Sequence, residues 1–331
     1  MQTHKLLDCT LRDGGYVNDW QFGLESARGL ALGLEKVNID IVELGFISNK
    51  SKFDKNQTKF DSFFSLEEVF TKKIKKLMKV VMINFGEFSL DEIPKASRTI
   101  IDGIRIAFHK KDFVNAMKFA QSIKEKGYKI FIQPMVSKNY DAREFSELLD
   151  IANKLDPYAF YIVDSFGSMN EEDLSTYLKL IRNILNKNIH LGFHLHDNMQ
   201  KALCNYQWAL RYVTDYNLIF DATLNGIGRG AGNLKTELVY TEINGFENDA
   251  VLLLDLIDKY ILPIKSENTW GFSNLLFITA TKNMHPNYAL FLDRKFKGNF
   301  GLQRKIIELI PEEEKVYFNL ELVAELAENH S

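Results

Sequence analysis

The chain has 331 residues, 46% of them hydrophobic and 26% charged, enough to bury one large core and a small second unit. A formal net charge of −3, with Lys and Arg mixed among Asp and Glu, excludes the basic field that would hold nucleic acid or an anionic membrane; small-molecule chemistry is expected. Two distant cysteines, Cys9 and Cys204, do not make a disulfide framework, no apolar run reaches the roughly 18 residues needed to span a bilayer, and no leader pattern precedes Lys5-Leu6-Leu7, so a soluble, cytoplasmic protein is expected.

Short apolar or β-branched runs recur in chain order: Leu6-Leu7, Ile41-Val42, Val80 to Ile83, Ile104 to Ile106, Ile130 to Ile132, Phe160 to Val163, Ile189 to His196 and Leu218 to Phe220. Between them lie stretches with helical periodicity, among them Leu24 to Lys36, Phe113 to Lys126, Asp141 to Lys154, Glu171 to Asn186 and Gln200 to Val213. Strict strand and helix alternation, eight times over, is the pattern of a closed (β/α)8 TIM barrel; a doubly wound open sheet is the alternative, because periodicity does not show closure. Past about residue 245 the alternation stops. Helices are expected over Ala250 to Tyr260, Phe272 to Ala280 and Pro311 to Ala327. The division is therefore a barrel over 1–245 and a C-terminal helical extension over 246–331, either covering the mouth of the barrel or mediating assembly, with a homodimer as the expected oligomer.

Reactive groups of such a barrel sit at the C-terminal ends of its strands. The first strand runs into Asp8-Cys9-Thr10-Leu11-Arg12-Asp13-Gly14-Gly15, where the glycines permit positive φ and close ligand approach, and where Arg12 and Asp13 are either site residues or a surface ion pair. The seventh ends in His194-Leu195-His196-Asp197-Asn198. Residues i and i+2 of a strand share a face, so both imidazoles point inward; two lumenal histidines without a ligand would be costly to desolvate, which favours a metal clamp over a hydrogen-bonded pair. After the eighth strand comes Asn225-Gly226-Ile227-Gly228-Arg229-Gly230-Ala231-Gly232-Asn233. Its position argues against a dinucleotide fingerprint, and Asn233 either caps the next helix or reaches a metal. Glu43, in Val42-Glu43-Leu44-Gly45-Phe46, is either lumenal and paired with Arg12 or solvated at the rim, and Arg105, Gln133 and Asp164-Ser165 end strands four to six. One carboxylate and two histidines suit Mn2+, Mg2+, Zn2+ or Fe2+; neither cysteine has a metal-ligand spacing.

Together, D-C-T-L-R-D-G-G, V-E-L-G-F, H-L-H-D-N and G-A-G-N, in this order over roughly residues 5 to 245, resemble the DRE-TIM metallolyases, the superfamily of 3-hydroxy-3-methylglutaryl-CoA lyase, isopropylmalate synthase and 4-hydroxy-2-oxovalerate aldolase. The resemblance implies a divalent metal, Mn2+ or Mg2+ before Zn2+, held by Asp13, His194 and His196 with Asn233 as a fourth ligand, Arg12 on an enolate oxygen, and Glu43 positioning Arg12. The 4-hydroxy-2-oxovalerate aldolase branch is nearest, because the chain has no room for a long regulatory domain and G-G follows R-D. The implied activity is aldol cleavage or formation of a 4-hydroxy-2-oxo acid through a pyruvate-type enolate, with a small 2-oxo acid as partner.

One departure stands out. Those aldolases carry a catalytic histidine three residues after the metal aspartate, where this chain has Tyr16, an intrinsically weak base at neutral pH. His109, His285 and Tyr288 are the alternative proton carriers, each with a structural reading beside it. Two other functions compete: a Claisen-type acyltransferase joining an acyl-CoA to a 2-oxo acid, and a catalytically silent barrel serving as a binding subunit.

Overall fold

Each of the eight apolar runs forms a strand in the computed structural model, which describes residues 4–70, 74, 76–246 and 248–330. They are β1 (His4–Asp8), β2 (Ile41–Ile47), β3 (Met78–Asn84), β4 (Gly103–Phe108), β5 (Lys129–Pro134), β6 (Ala159–Asp164), β7 (His190–Leu195) and β8 (Leu218–Ala222). All neighbours pair in parallel, and β1 pairs with both β8 and β2, which closes the sheet into a barrel. The helices on its outside are α1 (Leu24–Lys36), α2 (Phe63–Val69), α3 (Phe113–Glu125), α4 (Ala142–Leu155), α5 (Glu171–Ile184), α6 (Ala202–Tyr212) and α7 (Thr236–Asn244). Capping boxes start three of them: Ser62 with Ser65, Asp141 with Glu144, and Asn170 with Asp173. The alternation breaks once, between β3 and β4, where Gly86 and Pro94 interrupt the chain and only two single 3-10 turns form, Leu90–Glu92 and Ala96–Arg98.

Strand alternation sorts the lumen into layers. Leu7, Ile41, Val80, Phe131, Ala159, Tyr161 and Ile219 fill its lower part, while Leu6, Val42, Ile104, Ile130 and Phe220 face the helices. Polar residues sit above that apolar plug. In β2 the register shifts between Glu43 and Phe46, and Gly45 adopts φ +146° at the irregularity. Glu43 and Phe46 both face the lumen as a result, which strict alternation over three residues would forbid.

The tail contains α8 (Asn248–Leu256), a π turn over Ile257–Ile261, α9 (Leu262–Glu267), α10 (Asn274–Thr281), α11 (Asn287–Lys295), α12 (Phe300–Leu309) and α13 (Leu320–His330). Leu253, Leu256, Ile257 and Ile261 pack into the barrel's own core, and Gly33 and Gly29 of α1 let Leu256 and Tyr260 approach closely. Beyond Phe272 a second core takes over, with Leu275, Met284, Tyr288, Leu292, Ile306 and Val323 at its centre; Ala231, from the loop after β8, belongs to it. The helix expected from Pro311 starts only at Leu320: Glu312–Glu314 makes a single 3-10 turn, and the Asn319 side chain accepts from Leu322 N at the true start.

Candidate active site

The segment after β1 does not use its glycines for positive φ. Thr10–Asp13 and Gly15–Asn18 are short helical turns, and Gly14 between them has φ −60°. The glycines are needed for close packing instead: a Cβ on Gly15 would enter the Trp20 ring, and Trp20 Nε1 donates to Arg12 O at 2.9 Å. This coil turns Arg12 and Asp13 into the lumen, where they are 4% and 1% exposed, so the pair is not a surface one.

Asp13 Oδ2 lies 3.8 Å from Nε2 of both His194 and His196. The three ligand atoms lie within 4.8 Å of one another, a spacing one ion can bridge. Burial alone would raise the Asp13 carboxyl; the Arg12 guanidinium, 2.6 Å from Oδ1, outweighs it and holds the group well below the usual carboxylate range. Burial pushes His196 down to about 3 against the pull of Asp13, so at neutral pH it is an uncharged imidazole, the form a metal ligand requires. Asn233 does not cap α7, whose N-cap is Lys235. Its Nδ2 donates to Asp13 Oδ2 and to Ile227 O, while its Oδ1 is buried and has no partner. An orphaned amide oxygen beside three converging ligand atoms fits a fourth oxygen donor to a cation. Gly228 completes the cradle, since a Cβ there would collide with the Asn233 amide.

Beneath this cluster lies a buried charge network. Glu43 Oε2 accepts from Arg12 Nε at 2.8 Å and from Arg105 Nη1 at 2.7 Å; Arg105 Nη2 donates to Asp221 Oδ2, and that oxygen accepts from His194 Nδ1 at 2.8 Å. Asp221 thereby fixes the His194 tautomer and turns Nε2 toward Asp13, as a carboxylate behind a metal-ligating histidine does. No described residue hydrogen-bonds to Arg12 Nη2, and Arg12 lines the cavity above the cluster. Glu43 is thus the lumenal partner of Arg12, but it holds Arg105 too. Asp221 was not apparent from sequence; its signal is a single carboxylate inside Leu218-Ile219-Phe220-Asp221-Ala222, with its partner 27 positions earlier. Cys9, despite its lack of ligand spacing, stands with His194 and Asp221 in a second tight group, but burial raises its thiol well above the ordinary range and Sγ donates to Ala222 O.

Above the cluster opens a cavity of about 250 Å³ lined by Arg12, Asp13, Tyr16, His109, Gln133, Ser165, His194, His196, Arg229 and, from the tail, His285 and Val316. The extension therefore covers the barrel mouth. Asp164 turns away from it, accepting from Ser168 N and Met169 N, and Tyr288 is outside it, its hydroxyl donating to Glu314 O in the tail's core. Tyr16 packs edge-on against Trp20 and Phe46, with its hydroxyl bonded to no described residue.

This architecture has known relatives. Residues 3–255 match the HMGL-like family. The chain belongs to the HMGL-like family. Among curated members it is 24% identical over 267 residues to the 4-hydroxy-2-oxovalerate aldolase of Carboxydothermus hydrogenoformans, covering 78% of this chain and 77% of that one. It is also 24% identical to the oxaloacetate decarboxylase of Mycobacterium tuberculosis, covering 77% and 75%. The crystal structure of the N-terminal domain of a candidate aldolase from Bacteroides vulgatus superposes with a TM-score of 0.73 at 26% identity, covering 91% of this chain and 99% of that one.

Proposed function

We propose that this HMGL-like protein is a divalent-metal-dependent carbon–carbon lyase that cleaves or forms a 4-hydroxy-2-oxo acid through a pyruvate-type enolate. The observation carrying this reading is Arg12, with Nη2 hydrogen-bonded to no described residue, beside the Asp13, His194 and His196 cluster in a cavity that the tail helps to line. Asp13, His194 and His196 would hold the cation, with the Asn233 amide oxygen as fourth ligand. A bound Mn2+ or Mg2+ would supply Lewis-acid stabilisation to the enolate derived from the 2-oxo acid, with Zn2+ as the softer alternative.

The remaining work belongs to side chains. Arg12, locked by Glu43 and Asp13, points Nη2 where negative charge develops on the enolate oxygen, and its fixed orientation means no reorganisation as the charge grows. Tyr16, with its hydroxyl free at the cavity wall, acts in its phenolate form: it takes the proton of the substrate's 4-hydroxyl during cleavage, becoming the neutral phenol, and returns that proton in the reverse direction. The apolar wall of Phe46, Met82 and Ala107, backed by Trp20, excludes water from the enolate. Decarboxylation of a 2-oxo acid bearing a second carboxylate on C3, as in oxaloacetate, is the second reading, supported by the M. tuberculosis relative, because loss of CO2 from that carbon yields the same enolate.

Incubating the protein with 4-hydroxy-2-oxopentanoate and Mn2+ should release pyruvate, read by coupled reduction with lactate dehydrogenase, and EDTA should stop it. Failure to release pyruvate, with Mn2+ shown to be bound, would count against the aldolase. Tyr16→Phe should lower cleavage by about 10²-fold or more, the usual scale of a general acid–base group; an unchanged rate would remove Tyr16 from the mechanism.

A further inference from the structure

Arg229 differs from the two other arginines of the lumen. Arg12 and Arg105 are each neutralised by carboxylates, whereas Arg229 makes no ion pair with a described residue. It lines the cavity, its guanidinium carbon 3.8 Å from the centre of the Tyr16 ring, and its polar neighbour is His285, with Nη1 3.5 Å from Nε2. The hydrogen bonding of His285 assigns its tautomer. Asn287 N donates to Nδ1 at 3.1 Å, so Nδ1 offers its lone pair and the proton of the neutral ring sits on Nε2. Burial, then Arg229, pushes this imidazole down to about 3, which keeps it neutral. Two donors, Arg229 Nη1–H and His285 Nε2–H, therefore meet at the cavity wall without an acceptor between them. This also makes His285 a donor there and not a base.

We propose that Arg229 and His285 form a carboxylate subsite for the acceptor half of the substrate, so that the preferred substrate is a 4-hydroxy-2-oxo diacid. A carboxylate satisfies both donors at once, and the planar guanidinium fork favours it over a neutral carbonyl. The placement matches the outer half of the substrate. Tyr16 and Arg229 also line a neighbouring cavity of about 360 Å³, together with Asn287 and Arg294, so they stand on the outward side of the site, and Arg294 adds a second cation along that side. In cleavage, the C3–C4 bond breaks, its electron pair goes to the pyruvate enolate, and the 4-hydroxyl proton passes through Tyr16. Carbon 4 leaves as the carbonyl of a second 2-oxo acid held by Arg229, and the enolate takes one proton at C3 to become pyruvate.

This rests on the reading of the cavity as a 2-oxo acid site, and inert analogues separate the two. Isothermal titration of the Mn2+-loaded, full-length protein should show 2-oxoglutarate, the 4-deoxy diacid, binding at least tenfold more tightly than 2-oxopentanoate, its uncharged-tail counterpart. Arg229→Met and His285→Phe should each bring that ratio towards one, while Arg229→Lys and His285→Gln, which keep a charge or an N–H donor, should retain part of it. Equal affinity for the two acids, or a ratio unmoved by both Arg229→Met and His285→Phe, would overturn the subsite. Failure of both acids to bind would also overturn it; metal-dependent exchange of the pyruvate methyl protons then reports separately whether the enolate reading survives.

Discussion

His194 can present Nε2 to a cation because Asp221 occupies its other nitrogen, and Asp221 is in turn held by Arg105 and, through it, by Glu43. Replacing Asp221 with Asn keeps the volume but removes the charge that Arg105 and His194 share. We expect Mn2+ affinity, measured by calorimetric titration, to fall roughly 10- to 100-fold. Unchanged affinity would mean that His194 is oriented by packing alone. Much of the cluster was readable from the chain, since His194 and His196 two residues apart on a strand must share a face, and Arg12 and Asp13 follow a strand end. Asp221 was not, because one carboxylate in an apolar run has no partner within the distances that sequence spacing reports. Arg229 was hidden for a related reason: it sat in a glycine-rich loop whose geometry, not its composition, brings it over Tyr16.

At the scale of elements, the turn after β1 and the irregularity in β2 decide what enters the lumen. Gly15→Ala would force a methyl into the Trp20 ring, and overpacking of this kind costs about 1–3 kcal/mol. Urea denaturation should show that loss; a variant as stable as the parent would mean that the Trp20 wall yields easily. The last residue of β1 adds a pH dependence. Burial raises the Asp8 carboxyl to about 6, against hydrogen bonds from Thr236 and Thr10. The folded chain keeps this proton to higher pH than the unfolded chain does, so the group's contribution to stability is full below about pH 4 and is lost as pH rises through about 6, on the order of 3 kcal/mol. Asp8→Asn should flatten the stability profile of the metal-free protein between those limits, and an identical slope in parent and variant would contradict the assignment. The strands were legible because each is a short apolar run, and five of the helices because they are amphipathic over ten residues or more. The missing helix between β3 and β4 was not anticipated, although Gly86 and Pro94 are there to be read.

The whole molecule is a barrel with its mouth under a second, helical core. That core owes its position to contact across the boundary: Ala231 from the barrel joins it, and His285 and Val316 reach back to line the cavity. Leu292→Ala, at a fully buried site in the second core, should cost about 2–5 kcal/mol. Thermal unfolding should resolve this as earlier loss of the cap, with substrate affinity falling alongside; a stability unchanged from the parent would show that the cap core is not packed as described. The tail was the least legible part of the sequence, since its helices of 8–11 residues are joined by short connections and no single periodic stretch marks them. Among the described residues no helix is long and apolar enough to cross a membrane. The account as a whole turns on one event, formation of an enolate at the Arg12, Asp13, His194 and His196 cluster. Pyruvate incubated with the protein in D2O and followed by proton NMR should lose its methyl signal with Mn2+ and keep it with EDTA, and Asp13→Asn or His194→Ala should abolish the exchange. A methyl signal that persists despite bound Mn2+ would contradict the pyruvate-type enolate on which the proposed activity depends.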